Sequence, residues 1–139
     1  MKKLLLSLAA TGLLLSHLVA QNTVVKQIPV RSTRTMEGPE LYTEYCAVCH
    51  GKDGKGDGPA AAALKQRPAD LTQLARKNGG KLDELRVQSV ITGEDTVAAH
   101  GSRDMPTWGT VFASMTTSDG NRKLRINSLV RHVQSLQAK

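Results

Sequence analysis

Cys46-Ala47-Val48-Cys49-His50 holds both cysteines of the chain and sets a histidine directly after the second. Residues three apart on a helix or tight turn face the same side. Two thiols so placed reach the two vinyl groups along one edge of a porphyrin and form thioethers with them. The imidazole that follows is directed over the ring, where one nitrogen binds iron and the other donates to a carbonyl that fixes the tautomer. Other readings explain less. A structural disulfide in an exported protein gives His50 no role. A thioredoxin-like pair calls for strands alternating with helices, and this chain has few β-branched or aromatic runs. Zinc takes four ligands, and no second cysteine pair completes them. The spacing therefore predicts one covalent haem c attached through Cys46 and Cys49, with His50 on the iron.

Working outward, Gly38 then Pro39 starts a helix predicted over 39–47, since proline at the first helical position loses nothing by lacking an N–H. Leu41, Tyr45 and Val48 are spaced to share its apolar face. Downstream, Gly51, Gly54, Gly56 and Gly58 mark a loop that turns sharply or lies against a flat ligand. Residues 59–64 suit a short helical turn, and Asp70 suits the cap of a second short helix that carries Leu71, Leu74 and Ala75 and stops at Asn78-Gly79-Gly80. A third helix is predicted over 81–92, with Leu82, Leu85 and Val90 or Ile91 inward and Gly93 as its stop. Residues 94–107 read as a loop. Ile126, Leu129, Val130, Val133 and Leu136 form the apolar stripe of a C-terminal helix.

At 139 residues the chain is one domain, and a composition 40% hydrophobic and 22% charged is that of a soluble globular protein. Aromatics are only 3% of it, so these helices need added bulk in the core, which a haem supplies. The first twenty residues pair a basic start, Lys2 and Lys3, with an apolar stretch and Ala20 before the polar Gln21, the pattern of a secretory signal peptide. Leu18 stands where signal peptidase prefers a small side chain, and an uncleaved membrane anchor is the alternative. Lys2 and Lys3 carry two of the formal +7, leaving +5 on the mature chain. Export to the periplasm argues against nucleic acid as the partner of that charge. The expected organisation is a signal peptide or anchor over 1–20, an extension over 21–35 and a single domain over 36–139.

Three ordered motifs carry a resemblance to the class I c-type cytochromes over most of the mature chain. Gly38-Pro39-Glu40-Leu41-Tyr42 leads into the cysteine motif; the glycine loop leads into Arg67-Pro68-Ala69-Asp70-Leu71-Thr72; Met105-Pro106-Thr107-Trp108-Gly109 is the third. The resemblance implies an all-α cytochrome c fold of four to five short helices wrapped around one covalently attached haem c. It implies that Met105 binds iron opposite His50, and that the Pro68 carbonyl accepts the second ring hydrogen of the histidine. Arg67 and Trp108 are candidate partners of a haem propionate. In the family the first and last helices cross where a glycine meets an aromatic residue; Gly38 matches the glycine, but His132 stands at the aromatic position.

The sixth ligand decides the activity. A thioether favours ferrous iron and raises the potential, a histidine lowers it, and an open site admits small molecules. His100 lies in the same loop as Met105 and competes with it; Met115 and His132 are more remote candidates. With Met105 bound, the expectation is a monohaem carrier of single electrons and not an enzyme. The alternatives are a haem subunit of a larger dehydrogenase or reductase complex and a small-ligand-binding haem protein with an open sixth site. Lys52, Lys55, Lys65 and Arg67 follow the attachment motif and would ring the haem edge that the resemblance implies is exposed, steering redox partners with acidic docking surfaces towards a monomeric carrier; a solvated loop is the competing reading.

Overall fold

The computed structural model describes residues 31–95 and 105–138. The expected leader, the first part of the 21–35 extension and His100 lie outside the described residues. Regular structure among the described residues is helical throughout: α1 (Gly38–Tyr45), α2 (Ala47–His50), α3 (Leu74–Lys77), α4 (Glu84–Thr92), α5 (Trp108–Ser114) and α6 (Asp119–Ser135), with 3-10 turns over Ala61–Ala63 and Leu71–Gln73.

The longest helix among the described residues, α6, sets the frame. Ser118 caps it by accepting the Asn121 N–H at 3.4 Å, and Asp119 puts a carboxylate in the first turn, where the helix dipole favours it. The predicted stripe is inward: Ile126, Leu129, Val130 and Val133 are buried, and Leu136 packs at the C-terminal end. Helix α1 crosses α6 at Gly38. A Cβ built on Gly38 would lie 2.3 Å from the Ser128 carbonyl oxygen and 3.1 Å from Cβ of His132, so the crossing is as close as two backbones allow. The His132 ring packs on that of Tyr42, centroids 4.8 Å apart with planes tilted 52°. The imidazole thus fills the aromatic place at a tight crossing.

Helices α4 and α5 also pack on α6 and against each other. All the aromatics, Tyr42, Tyr45, Trp108 and Phe112, share one buried cluster with Leu41 and Leu129. At about 2 kcal/mol for each large apolar side chain removed from water, this cluster is the main apolar contribution of the fold.

Four expectations are corrected. Among the described residues six α-helices form rather than four or five, because the helix expected over 39–47 divides into α1 and α2, and α5 carries Trp108 and Phe112 four apart on its buried face where none was expected. Leu85 is 77% exposed. Asp83 caps α4 by accepting the Arg86 N–H at 3.0 Å, so the helix starts at Glu84 and Leu82 is buried from the extended lead-in, out of helical phase with Leu85. Ile91 is inward as expected, and Val87 packs beside it in place of Leu85. Val48 is 48% exposed, since the chain breaks helical register at Cys46 between α1 and α2 and turns Val48 away from the face of Leu41 and Tyr45.

Candidate functional site

The cysteine motif is one turn of helix set against the end of another. Cys46 donates its N–H to the Tyr42 carbonyl at 2.9 Å, and the N–H groups of Cys49 and His50 return to the Cys46 carbonyl at 3.1 and 2.9 Å. Both thiols are free and half-buried, three residues apart. Burial pushes the Cys46 thiol up to about 12, with the charge of Cys49 adding to it, and burial raises Cys49 as well. Neither sulfur is a thiolate at neutral pH. A thioredoxin-like centre needs the opposite, a depressed thiol pKa at the attacking cysteine. Nor do three or more His, Cys, Asp or Glu side chains gather into an all-protein metal site among the described residues.

His50 lies at the C-terminal end of α2, with its Nδ1 3.1 Å from the carbonyl oxygen of Ala69. A carbonyl only accepts, so Nδ1 carries the proton and the ring's lone pair is on Nε2, the nitrogen that would bind a metal. This acceptor is one residue beyond Pro68, to which the resemblance assigned it. The reason is local: Gly56 lies against the Pro68 carbonyl, where a Cβ would sit 2.3 Å from that oxygen. A positive φ of 73° adds a second requirement for glycine there.

The glycine loop caps α2 from outside. Four carbonyls at a helix C-terminus have no partner within the helix. Here those of Val48, Cys49 and His50 accept from the N–H groups of Ala60, Gly58 and Gly56 at 2.9, 3.1 and 2.8 Å. Tyr42 donates its hydroxyl to the Gly51 carbonyl at 2.8 Å, and Leu71 donates its N–H to that of Gly54 at 2.7 Å. Burial, then the charges of Cys46, Asp57 and Asp53, hold the Tyr42 phenol above its ordinary pKa, so it stays a donor. Arg67 is exposed and donates Nε to the Gly56 carbonyl at 3.3 Å. Lys52, Lys55 and Lys65 are exposed.

Met105 stands just before α5, half-buried against the aromatic cluster, and Cys46 packs against that same cluster. Trp108 is buried within it, its ring centroid 5.4 Å from Tyr45 and 5.9 Å from Phe112. The remote candidates have other engagements: Met115 Sδ is 3.9 Å from the Tyr45 hydroxyl, and His132 is at the helix crossing. Sequence reasoning missed the Ala69 carbonyl and the Tyr42 hydroxyl. A backbone acceptor leaves no side-chain signal beyond a nearby Pro68, and Tyr42 reads as core.

The donor set fits an iron porphyrin: two neutral thiols on one turn, ready to add across vinyl groups, and an imidazole whose tautomer presents Nε2. Residues 33–119, more than half of the chain, match a family described as cytochrome C oxidase, cbb3-type, subunit III. The match takes in the cysteine motif, the glycine loop and Met105, and ends at the start of α6. Comparison with curated proteins and with solved structures gives no match.

Proposed function

The chain belongs to the cbb3-type cytochrome c oxidase subunit III family and is a class I c-type cytochrome, and from that premise we propose that it is a monohaem carrier of single electrons. The observation that carries this reading is the His50 turn, in which Cys46 and Cys49, three apart, lead into an imidazole oriented by the Ala69 carbonyl. In it Cys46 and Cys49 form the thioethers and His50 Nε2 binds iron. Haem held there supplies a one-electron ferric–ferrous couple.

Met105 is the sixth ligand in this reading. Two observations support it: its half-buried position against the cluster that also borders Cys46, and Pro106 after it, which restricts the Met105 backbone. Both axial positions are then filled, no substrate is turned over, and small ligands are kept from the iron. Arg67 and Trp108 remain candidates for a propionate, although Arg67 already holds the glycine loop and Trp108 is part of the core.

Export by residues 1–20 puts the domain in the periplasm, with a cleaved leader and a soluble monomer as the primary form. The exposed Lys52, Lys55, Lys65 and Arg67 favour redox partners with acidic docking surfaces over nucleic acid. The subunit named in the family description favours a second form of the same reading, in which the carrier resides in a larger oxidase or reductase complex. No helix among the described residues is long and apolar enough to cross a membrane, so membrane attachment in that form falls to residues 1–20 or to a partner.

The test is optical. The ferric protein shows a weak near-infrared sulfur-to-iron band, and Met105→Ala removes it while the haem stays covalently bound. A band that survives the substitution overturns Met105 as ligand, and fast carbon monoxide binding by the unaltered ferrous protein overturns the closed site. Intact mass separates the two forms: a start at Gln21 plus one haem fits the soluble carrier, and a retained leader the resident subunit.

A further inference from the structure

The C-terminal residues after α6 do more than end the chain. Gln137 makes three hydrogen bonds: Oε1 accepts the Ala75 N–H at 2.8 Å, and Nε2 donates to the carbonyls of Leu71 and Val133 at 2.7 and 2.8 Å. One donor and two acceptors around the amide leave only one orientation for it. Ala138 adds its N–H to the Thr72 carbonyl at 2.9 Å. The 3-10 turn and the start of α3 are thereby clamped to the end of α6.

That clamp lies two residues from the Ala69 carbonyl. Between them, Asp70 caps the turn by accepting the Thr72 N–H at 3.0 Å, and Leu71 gives its N–H to Gly54 in the loop that follows His50. Leu136 closes the same place from above, where a Cβ on Gly54 would meet its Cδ1 at 3.0 Å. Both sides of the His50 surroundings, the glycine loop and the 69–75 segment, are therefore tied to the last residues of the chain.

We propose that Gln137 is a positioning residue for the iron-binding imidazole: by fixing the 71–75 turn it holds the Ala69 carbonyl on Nδ1–H of His50 and so sets the electron donation of that ligand. This rests on the reading of His50 as the iron ligand. A firm N–H···O bond makes the imidazole a stronger donor and favours ferric iron. Loosening it raises the reduction potential.

The experiment uses the full-length, haem-loaded protein with Gln137→Met, which keeps the side-chain length and removes all three bonds, and Gln137→Glu, which keeps an acceptor for Ala75 but gives Leu71 nothing. In the ferrous state, proton NMR reads solvent exchange of the His50 Nδ1 proton and of the Leu71 and Ala75 amides. In Gln137→Met the Nδ1 proton exchanges about tenfold faster, as loss of its support predicts, and the potential rises. If that variant loses its colour or helicity, Gln137→Glu is read instead on exchange of the Nδ1 proton, with faster exchange again expected, because its added carboxylate lowers the potential in its own right. Loosened amides beside an unchanged Nδ1 proton and potential leave Gln137 a mere end clamp and overturn the proposal. Parent protein without the strongly upfield-shifted imidazole signals of an iron-bound His50 overturns the reading beneath it and the proposal together; signals present but unmoved by either variant overturn the proposal alone.

Discussion

Replacing Gly38 by alanine puts a carbon 2.3 Å from the Ser128 carbonyl oxygen, an atom of the α6 backbone that no rotamer change can move. An ordinary carbon–oxygen contact is roughly 3.3 Å, so α1 and α6 must part by about 1 Å. Parting them strains a packed interface in which Leu41, Tyr42 and Leu129 are all at most 2% exposed. Overfilling of this kind costs about 1–3 kcal/mol. Alanine returns less than the full ~1 kcal/mol of helix propensity, because Gly38 opens the helix rather than sitting inside it. The net loss is about 2 kcal/mol, and at roughly 4–8 °C for each kcal/mol in a domain of this size the melting temperature falls by about 8–16 °C. Thermal unfolding of the holoprotein followed by far-ultraviolet circular dichroism measures it. Gly120→Ala is the control: its Cβ meets only the Ser118 hydroxyl, at 3.6 Å, and its melting temperature stays level or rises. A Gly38→Ala protein that melts with the parent would mean that the helices do not approach as closely as described.

His132 carries the second expectation. Burial lowers its pKa from the ordinary 6.5, so the unfolded chain binds a proton more readily than the folded one; stability is full above that value and declines as pH falls through it. His132→Phe flattens this part of the profile in acid titrations of unfolding, and an unchanged slope assigns it to other groups. Arg125 is buried and donates to the carbonyls of Thr33 and Thr35 at 2.8 and 3.3 Å; Arg125→Met keeps the stem, loses the donors, lowers stability by about 1–3 kcal/mol and exposes the bonds after Arg31 and Arg34 to trypsin, whereas equal cleavage of parent and variant rejects that strap. Lys52→Glu combined with Lys55→Glu slows reduction by an acidic partner by roughly tenfold at low salt and flattens its salt dependence, and stopped-flow rates equal to the parent's place docking elsewhere on the surface.

The cysteine motif, the Asp70 cap, the Asn78-Gly79-Gly80 stop and the buried stripe of α6 were all legible in the chain because each is a local rule. A spacing, a capping side chain or a periodicity is complete within a few neighbouring residues. Gly38 was legible only through the resemblance, since nothing near it in sequence says that Ser128 will press against it. Leu85 and Val48 were misplaced for one shared reason: an apolar spacing gives the phase of a helix only if its start is known, and the Asp83 cap and the break at Cys46 shift that phase. Helix α5 escaped because Trp108 and Phe112 are a single apolar pair, too short a run for a period. The Ala69 carbonyl had no side-chain signal, and Gln137 looked like a polar residue at a frayed end.

A turn of four residues is too short to hold itself helical in water, because nucleation costs more than so few bonds return. That α2 is helical at all follows from bonds made outside it. The glycine loop runs back along α2 and satisfies the Val48, Cys49 and His50 carbonyls in succession, and Gly58 permits this because a Cβ there would fall 2.5 Å from the Val48 oxygen. The attachment motif is therefore presented by its surroundings. The same loop is fastened by Tyr42 from α1, by Leu71 from the following turn and by Arg67. Through Ala69 that following turn also holds the imidazole. These ties join the thiols and the histidine to one connected set of hydrogen bonds, so in the proposed reading attachment geometry and ligand strength would depend on the same contacts. In the proposed reading, an iron held in this way would change charge with little change of coordination, which is the requirement that single-electron exchange places on its protein.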